Sequence, residues 1–358
     1  MNEFIYKNKK VNTISRIRIQ ENRDLKNGIR LNRNERVENF EKNILLKIFK
    51  NSNLYDLGKY PDQSKIYKTL SKFLNQKEEN IIITSGIDGS IKSIFEIFTN
   101  PGDKVSFLSP TYAMYEVYSN LFKVKVIRIG YKNFRLDRDK LYETIKHSGT
   151  KILFIPNPNQ PIEDNISFKE MKHIVKICKK NKILLVVDEA YYMFGSQSSS
   201  KLCKKNENIM ILRTFSKAFG LPSIRFGYVI ANKKIIKILN SYRLSYESNY
   251  LTDKVAEYFI KNFSKIKKYN KSIIKGRDFL IKSLKKIKVK VIGGKANFLL
   301  INFDNKEILD EILNKFKNKK IYVKSNYSGD LENSILITCG TVKTMNKVLK
   351  IIKLIFKK

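Results

Sequence analysis

The feature that most constrains the fold of this chain is the alternation of short apolar runs with segments of helical periodicity. Six runs have the length and composition of buried strands, at residues 81–84, 105–108, 152–155, 183–187, 209–212 and 227–230. Between the first two runs, Ile91, Ile94, Phe95 and Phe98 recur at the spacing of one helical face. Strands that alternate with helices predict an α/β fold with a doubly wound, mostly parallel sheet over residues 50–250.

The pattern changes after residue 250. Residues 252–285 have the Lys-rich amphipathic pattern of one or two long helices, and shorter apolar runs follow at 289–292, 298–301, 321–323 and 335–338, before a final helix at 342–357. We therefore predict three parts. An N-terminal arm, 1–45, packs on the small domain or on a partner subunit. A large domain spans 46–250, and a small α+β domain spans 251–358.

The charge balance is extreme, with 71 Lys and Arg residues against 33 Asp and Glu residues, a net charge of +38. One interpretation is a cationic nucleic-acid-binding protein, because neutralised phosphates drive such binding. The basic residues are spread from Lys7 to Lys358, however, and no RNA-binding or helix-turn-helix pattern accompanies them. Nucleic acid is therefore the less favoured partner, whereas the charge would attract anionic small molecules.

Few residues are available for disulfides or metal sites. The three cysteines, Cys178, Cys203 and Cys339, are odd in number and far apart, and the only histidines are His147 and His173. The first ten residues are polar and charged, and no run has the length and apolarity of a membrane span. We expect a cytoplasmic protein that binds no metal.

Chemically useful residues follow five of the predicted strands. Ligands bind beyond the carboxyl ends of the strands in open α/β sheets. The segments at these ends are Ser85-Gly86-Ile87-Asp88-Gly89, Ser109-Pro110-Thr111-Tyr112, Pro156-Asn157-Pro158-Asn159-Gln160-Pro161, Asp188-Glu189-Ala190-Tyr191 and Arg213-Thr214-Phe215-Ser216-Lys217. They offer a glycine turn that opens a helix, an aromatic ring, amides, a carboxylate, hydroxyls and a lysine. Pyridoxal phosphate needs this set: an amine, a carboxylate for its ring nitrogen and a helix N-terminus for its phosphate.

The segment from Arg213 to Tyr228, RTFSKAFGLPSIRFGY, resembles the Schiff-base segment of fold-type I aminotransferases, and specifically the histidinol-phosphate aminotransferase branch. The resemblance covers nearly the whole chain. Its other motifs are LNRNE at 31–35, KYPD at 59–62, VDEAY at 187–191, ANF at 296–298 and TCGT at 338–341. It implies a class I/II aminotransferase that depends on pyridoxal 5′-phosphate and acts as a homodimer.

The resemblance also implies residue roles. Lys217 would form the Schiff base and then move the proton. Asp188 would pair with the pyridinium nitrogen, Tyr191 would hydrogen-bond the ring hydroxyl, and Tyr112 would stack on the ring. Taken singly, Asp188 could equally cap a helix and the two tyrosines could be core aromatics. Their joint fit to one cofactor favours the functional interpretation.

The phosphate site implied by the resemblance draws on several segments. Its members would be the side chains of Thr214, Ser216 and Arg225 and the backbone of Gly86, Ile87 and Asp88. Tyr60 would be a further phosphate contact, donated by the neighbouring subunit.

Two positions depart from the family pattern. The family's Asn-Pro-Thr-Gly is replaced by Gln160-Pro161-Ile162-Glu163, so either Gln160 or Asn159 would contact the ring hydroxyl. Leu336 stands where many members carry an arginine that binds a substrate carboxylate or phosphate, and leucine cannot supply paired N–H donors.

Two cations near family substrate positions are Lys324 and Arg36. Each could bind an anionic group of the substrate or could be a solvated surface residue.

The favoured function is transfer of an amino group between an amino donor and a small phosphorylated ketone or aldehyde, of the histidinol-phosphate or the serinol-phosphate/dihydroxyacetone-phosphate type. The alternative with the same cofactor is a decarboxylase of O-phospho-amino acids. A cationic nucleic-acid-binding protein that inherited the fold is the alternative from another class.

Overall fold

The structure of the chain is a computed structural model, and it describes residues 28–50 and 52–356. In chain order the strands are β1 (Ile29–Arg30), β2 (Ile81–Thr84), β3 (Lys104–Leu108), β4 (Lys125–Ile129), β5 (Tyr131–Lys132), β6 (Arg135–Leu136), β7 (Ile152–Pro156), β8 (Leu184–Asp188), β9 (Ile209–Thr214), β10 (Gly227–Ala231), β11 (Lys290–Ile292), β12 (Phe298–Asn302), β13 (Ile321–Tyr322) and β14 (Ser334–Thr338). The helices are α1 (Ile44–Phe49), α2 (Ser64–Leu74), α3 (Gly86–Phe98), α4 (Met114–Leu121), α5 (Arg138–His147), α6 (Phe168–Lys180), α7 (Lys233–Tyr242), α8 (Tyr250–Lys261), α9 (Phe263–Lys286), α10 (Lys306–Asn318) and α11 (Val342–Phe356).

A seven-stranded sheet forms the centre of the large layer, in the order β2-β10-β9-β8-β7-β3-β4. Strand β10 is antiparallel to both of its neighbours, and the other pairs are parallel. This arrangement confirms the predicted mostly parallel α/β fold.

The central strands are apolar throughout because the sheet is covered on both faces. Successive residues of a strand point to opposite faces. In β2, Ile81 and Ile83 pack into the cluster on one face and Ile82 packs into the cluster on the other. A strand buried on both sides has no solvent face, so it appears as a continuous apolar run.

A second layer contains a three-stranded antiparallel sheet, β11-β12-β14, with a hydrophobic core of its own. Helices α9, α10 and α11 supply Leu280, Ile312 and Val348 to this core. The 252–285 segment forms two helices rather than one, because Asn262 ends α8 and precedes α9.

The described start of the chain packs on this second layer. Strand β1 pairs in parallel with β13, and the Thr338 amide donates to the Leu31 carbonyl oxygen at 2.7 Å. Residues 1–27 of the predicted arm lie outside the described residues. The boundaries near residues 45 and 250 stay predictions.

Candidate active site

A cavity of about 790 Å³ lies beyond the carboxyl ends of the central strands, between two walls. The strand-end wall comes from the large layer and includes Ile87, Asp88, Thr111, Tyr112, Asn159, Gln160, Asp188, Tyr191, Thr214, Ser216, Lys217 and Arg225. The second wall consists of Asn32, Arg33, Glu35, Val323, Lys324, Ser325 and Asn326. The cavity therefore brings together nearly all the predicted cofactor residues of one chain.

Lys217 follows β9 at the base of the cavity. Its Nζ donates a hydrogen bond to the Arg33 carbonyl oxygen at 3.2 Å. Burial lowers the pKa of Lys217 to about 8, although the nearby carboxylates of Glu35 and Asp188 oppose this shift. A substantial fraction of the amine is therefore neutral near physiological pH, as a nucleophile or a proton acceptor requires.

Asp188 is the last residue of β8 and is 6% exposed. Its Oδ1 accepts a hydrogen bond from the Ala190 amide and its Oδ2 accepts one from the Tyr115 hydroxyl, both at 2.9 Å. Burial raises the pKa of Asp188 to about 6, and these two donors oppose that rise. The carboxyl group is thus mostly ionised at neutral pH. Tyr115 had no predicted role in the site, although it follows Tyr112 by three residues and lies at the start of α4.

The first turn of α3 and the segment after β9 form an anion site. The Gly86 backbone has φ +69°, and a Cβ there would lie 2.8 Å from an Arg225 guanidinium nitrogen, so only glycine allows this approach. The Ser216 hydroxyl accepts hydrogen bonds from Thr214 Oγ1 at 2.9 Å and from Arg225 at 3.5 Å. Arg225 forms no ion pair with any residue that the structure describes. Hydroxyls, a guanidinium and a helix N-terminus fit the phosphate of the cofactor.

The two candidate amides have different surroundings. Asn159 is 1% exposed, and its Oδ1 accepts from Thr111 Oγ1 at 2.6 Å while its Nδ2 donates to the Tyr131 hydroxyl at 2.8 Å. Gln160 is partly exposed in the cavity, and its Oε1 accepts from the Tyr191 hydroxyl at 3.1 Å. Gln160, rather than Asn159, is therefore the amide that can face a ligand.

Asn34 connects the two walls but received no predicted role. Its Nδ2 donates to the Tyr191 hydroxyl at 3.1 Å, and its backbone amide donates to Thr338 Oγ1 at 2.8 Å. Asn297 Nδ2 donates to the Asn34 carbonyl oxygen at 3.2 Å. The only sequence signal was the 31–35 motif, which contains Asn34.

The second wall carries Lys324 next to the position of the missing arginine. The main chains of Lys324 and Leu336 exchange hydrogen bonds of 3.0 and 2.8 Å. Leu336 is fully buried in the core of the second layer and does not line the cavity. Burial lowers the pKa of Lys324, and this ammonium has no ion-pair partner within the described part of the chain. An anionic group of a ligand would offset that burial.

Two predicted residues do not line the cavity. The Arg36 guanidinium lies between the rings of Phe40 and Tyr269, at 4.0 and 3.6 Å from their centroids, and its Nε donates to the Glu38 carbonyl oxygen. Stacking therefore holds the Arg36 guanidinium away from the residues that line the cavity, and its role as a substrate residue stays a prediction. Tyr60 is 82% exposed and stacks on another surface ring.

Within residues 28–50 and 52–356, no helix is both long enough and apolar enough to cross a membrane, and no group of three or more His, Cys, Asp or Glu residues is placed to hold a metal ion.

The mostly parallel sheet, its strand-end wall and the match to an aminotransferase family model define the class of protein, a pyridoxal-phosphate-dependent enzyme of fold type I. Residues 32–352 match the family model described as aminotransferase class I and II. Histidinol-phosphate aminotransferase of Pelagibacter ubique (strain HTCC1062) is 31% identical over 340 residues, 93% of either chain. The chain thus belongs to the class I and II aminotransferase family, which favours the enzyme over the nucleic-acid-binding alternative.

Solved structures share the fold. Histidinol-phosphate aminotransferase from Sinorhizobium meliloti, in complex with pyridoxal-5′-phosphate, superposes with a TM-score of 0.87 at 17% identity, over 99% of this chain and 98% of that one. L-threonine-O-3-phosphate decarboxylase from Porphyromonas gingivalis also superposes, with a TM-score of 0.72 at 18% identity over 92% of this chain and 100% of the other. The fold by itself therefore does not separate transamination from decarboxylation.

Proposed function

We propose that this aminotransferase moves an amino group between an amino donor and a small phosphorylated ketone or aldehyde, with histidinol phosphate as the amine to test first. The observation that carries this proposal is at the second wall, where the Lys324 side chain lines the cavity next to the buried Leu336, which stands in place of the family's arginine. The name and the 93% coverage of the Pelagibacter relative support it.

The strand-end wall would hold the cofactor. Pyridoxal 5′-phosphate, when bound, supplies an electron sink that stabilises negative charge at the carbon bearing the amino group. Asp188 would keep the ring nitrogen protonated, since its carboxylate is ionised at neutral pH. Arg225, Ser216 and Thr214 would bind the phosphate together with the backbone of Gly86, Ile87 and Asp88.

The remaining strand-end residues would orient the ring and move protons. Tyr191 and Gln160 would hydrogen-bond the ring hydroxyl, and Tyr112 would stack on the ring face and exclude water from it. Lys217 would take a proton from the substrate carbon on its neutral Nζ and return a proton to the cofactor side. Its pKa of about 8 lets the amine both accept and donate near neutral pH.

Lys324 would bind the anionic group of the substrate. A hydrogen bond to a charged group contributes about 1.5–3 kcal/mol, which outweighs a neutral one. The position of Leu336 lacks the two parallel N–H donors that a guanidinium gives a carboxylate. A phosphorylated amine without a carboxylate therefore suits the second wall better than an α-amino acid does.

A homodimer would complete the site. Exposed apolar side chains occur on α1 and the segment that follows it, where Leu45, Leu46 and Leu57 are 64%, 72% and 54% exposed. Tyr60 stacks on Tyr246 in the adjoining surface, with ring centroids 4.9 Å apart. Exposed apolar patches of this kind mark protein interfaces. Such an interface would carry Tyr60 to the phosphate site of the neighbouring subunit.

The substrate is tested by steady-state assays of the cofactor-loaded protein. Histidinol phosphate, histidinol and serinol phosphate are offered as amines with 2-oxoglutarate as acceptor, and glutamate formation is followed. We expect phosphorylated amines to have the higher kcat/KM. Turnover of only unphosphorylated amines would contradict the proposal, and carbon dioxide release from phosphothreonine would identify the decarboxylase.

The dimer is tested with a pair of matched leucine variants. Leu46→Asp places a charge in the exposed patch and is expected to give monomers by light scattering, with weaker cofactor binding. Leu354→Asp, at a leucine that is 61% exposed on α11, is the control and should leave the mass unchanged. Equal masses for the two variants would count against this interface.

A further inference from the structure

Glu163 is a buried carboxylate with an unusual set of donors. It is 8% exposed and lies three residues after Gln160, in the loop that follows β7. Its Oε2 accepts hydrogen bonds from the amides of Gly294 and Ala296, at 3.2 and 3.0 Å. Its Oε1 accepts from the Lys295 amide at 2.7 Å and from Asn165 Nδ2 at 2.8 Å. Three consecutive amides of the second layer therefore converge on one carboxylate of the large layer.

The turn that supplies these amides depends on two glycines. Gly293 has φ +121° and Gly294 has φ +145°, values that side-chain-bearing residues rarely adopt. A Cβ at Gly293 would lie 3.4 Å from Glu163 Oε2. Consecutive backbone N–H groups that point inward form an anion-binding concavity. The turn is thus shaped to receive a carboxylate.

This contact links the two walls of the cavity by a short path. On one side, Glu163 belongs to the same loop as Gln160 of the strand-end wall. On the other side, the 293–296 turn leads directly into β12, which pairs with β14 at Leu300 and Leu336. Leu336 in turn exchanges main-chain hydrogen bonds with Lys324. The path thus consists of the hydrogen bonds from the turn amides to the Glu163 carboxylate, followed by covalent bonds and backbone hydrogen bonds.

We propose that Glu163 is a positioning residue that fixes Lys324 relative to the strand-end wall, and so sets the affinity for an anionic group without touching it. Holding a binding group in place before the ligand arrives removes an ordering cost from binding. The inference rests on the proposed function only for the identity of the anion that Lys324 binds.

A second residue, Arg277, also contacts the turn and is the alternative to Glu163 as its support. Arg277, 4% exposed on α9, donates to the carbonyl oxygens of Phe194 and Ala296 at 2.8 and 3.0 Å. If this contact alone fixed the turn, removal of the Glu163 charge would change neither the turn nor the second wall.

The first experiment measures the turn itself in the cofactor-loaded protein. Glu163→Gln keeps the shape of the side chain but turns an NH₂ group towards N–H donors. Hydrogen exchange of the 294–296 amides should become about 10- to 100-fold faster, as expected for the loss of hydrogen bonds to a charged acceptor. Glu143→Gln on α5, where the carboxylate pairs with Lys140 at the surface, is the matched control and should leave this exchange unchanged. Unchanged exchange in Glu163→Gln would overturn the proposal.

The second experiment asks whether Glu163 acts through Lys324, with inorganic phosphate as the probe. Calorimetric titration of the cofactor-loaded protein should show about 10-fold weaker phosphate binding in Glu163→Gln. In the Lys324→Met background the same substitution should have almost no effect, since coupled residues are non-additive. Additive losses would show that Glu163 does not act through Lys324 and would overturn the proposal.

Cofactor binding separates this inference from the proposed function. Glu163→Gln should keep the visible absorption band and the affinity for pyridoxal phosphate, because the carboxylate accepts its hydrogen bonds from Asn165 and the 294–296 amides and not from a predicted cofactor residue. Failure of the unmodified protein to use phosphorylated amines would refute the proposed function. The hydrogen-exchange and phosphate-binding experiments would still test the role of Glu163.

Discussion

The two walls of the cavity are built in different ways. The strand-end wall is assembled from the ends of neighbouring strands of one sheet, where the pairing of β8 with β9 brings Asp188 and the segment that carries Lys217 to the same cavity. The second wall joins residues 32–35 to residues 323–326 through long-range pairs such as β1 with β13. The first wall departs from the family pattern at Gln160, and the strand behind the second wall departs from it at Leu336. Under the proposed function, one sheet would supply the residues that hold the cofactor, and a separate layer would supply the residues that choose the substrate.

Among the changes that test the two walls, removal of the Lys217 amine should have the largest effect on activity. We expect Lys217→Ala to lower kcat by about 10³-fold or more, because the variant loses the covalent anchor and the proton carrier together. The visible band of the bound cofactor should change as well. Absorption reports the loss of the covalent anchor, and turnover reports the loss of the proton carrier. Lys172→Ala, at an exposed lysine of α6, is the control. A Lys217→Ala enzyme with near-normal turnover would mean that the strand-end wall does not hold the reacting groups.

Loss of the Lys324 charge should separate the two walls. Lys324→Met is expected to raise the KM for a phosphorylated amine by about 10- to 100-fold, because one charge-assisted contact is lost. The cofactor band and kcat should change little. Lys317→Met, at an exposed lysine of α10, is the matched control. A fall in kcat at constant KM would place Lys324 in the chemical step and remove the distinction.

Loss of the Tyr115 hydroxyl should change the pKa of Asp188 in the strand-end wall and leave the second wall unchanged. Tyr115→Phe removes a hydrogen bond that lowers the pKa of Asp188, so this pKa should rise above about 6. The carboxyl group would then be protonated at higher pH, and the acid limb of the pH–rate profile should move to higher pH, with about a 10-fold loss of activity on that limb. Tyr142→Phe, on α5, serves as the control. An acid limb at the same pH in both variants would show that Tyr115 does not tune Asp188.

The smallest expected effect is the pH dependence of cofactor capture by the cofactor-free protein. Only the neutral form of Lys217 can react, and its pKa of about 8 makes that fraction rise with pH. Capture, followed at the visible band, should speed up about fivefold from pH 7 to pH 8 and level off about one unit higher. A rate that keeps rising beyond pH 10 would indicate an ordinary solvated lysine.

The fold was predictable where burial leaves a local pattern. Strands covered on both faces appear as apolar runs, and these runs predicted most of the seven-stranded sheet. The exception is β4, an edge strand in which exposed Lys125 and Arg128 interrupt the apolar pattern. Edge strands often carry such charges. A search for continuous apolar runs therefore misses them.

The site was predictable where a motif is continuous along the chain, as around Lys217. The contacts of Tyr115, Asn34 and Glu163 were not, because their partners lie 73, 157 and 131–133 residues away. Such pairs depend on how elements that are distant in the sequence pack together. The stacking of Arg36 could not be predicted for the same reason, since its partner Tyr269 comes from α9.

The most direct test is the visible absorption of the cofactor-loaded protein during separate titrations with histidinol phosphate and with glutamate. The strand-end wall should give a yellow band that bleaches as the amino group is transferred. We predict bleaching by histidinol phosphate at a concentration well below that needed with glutamate, because Lys324 would bind the phosphate whereas Leu336 has no N–H donors for a carboxylate. Bleaching by glutamate at low concentration, with no response to histidinol phosphate, would contradict this account of the second wall.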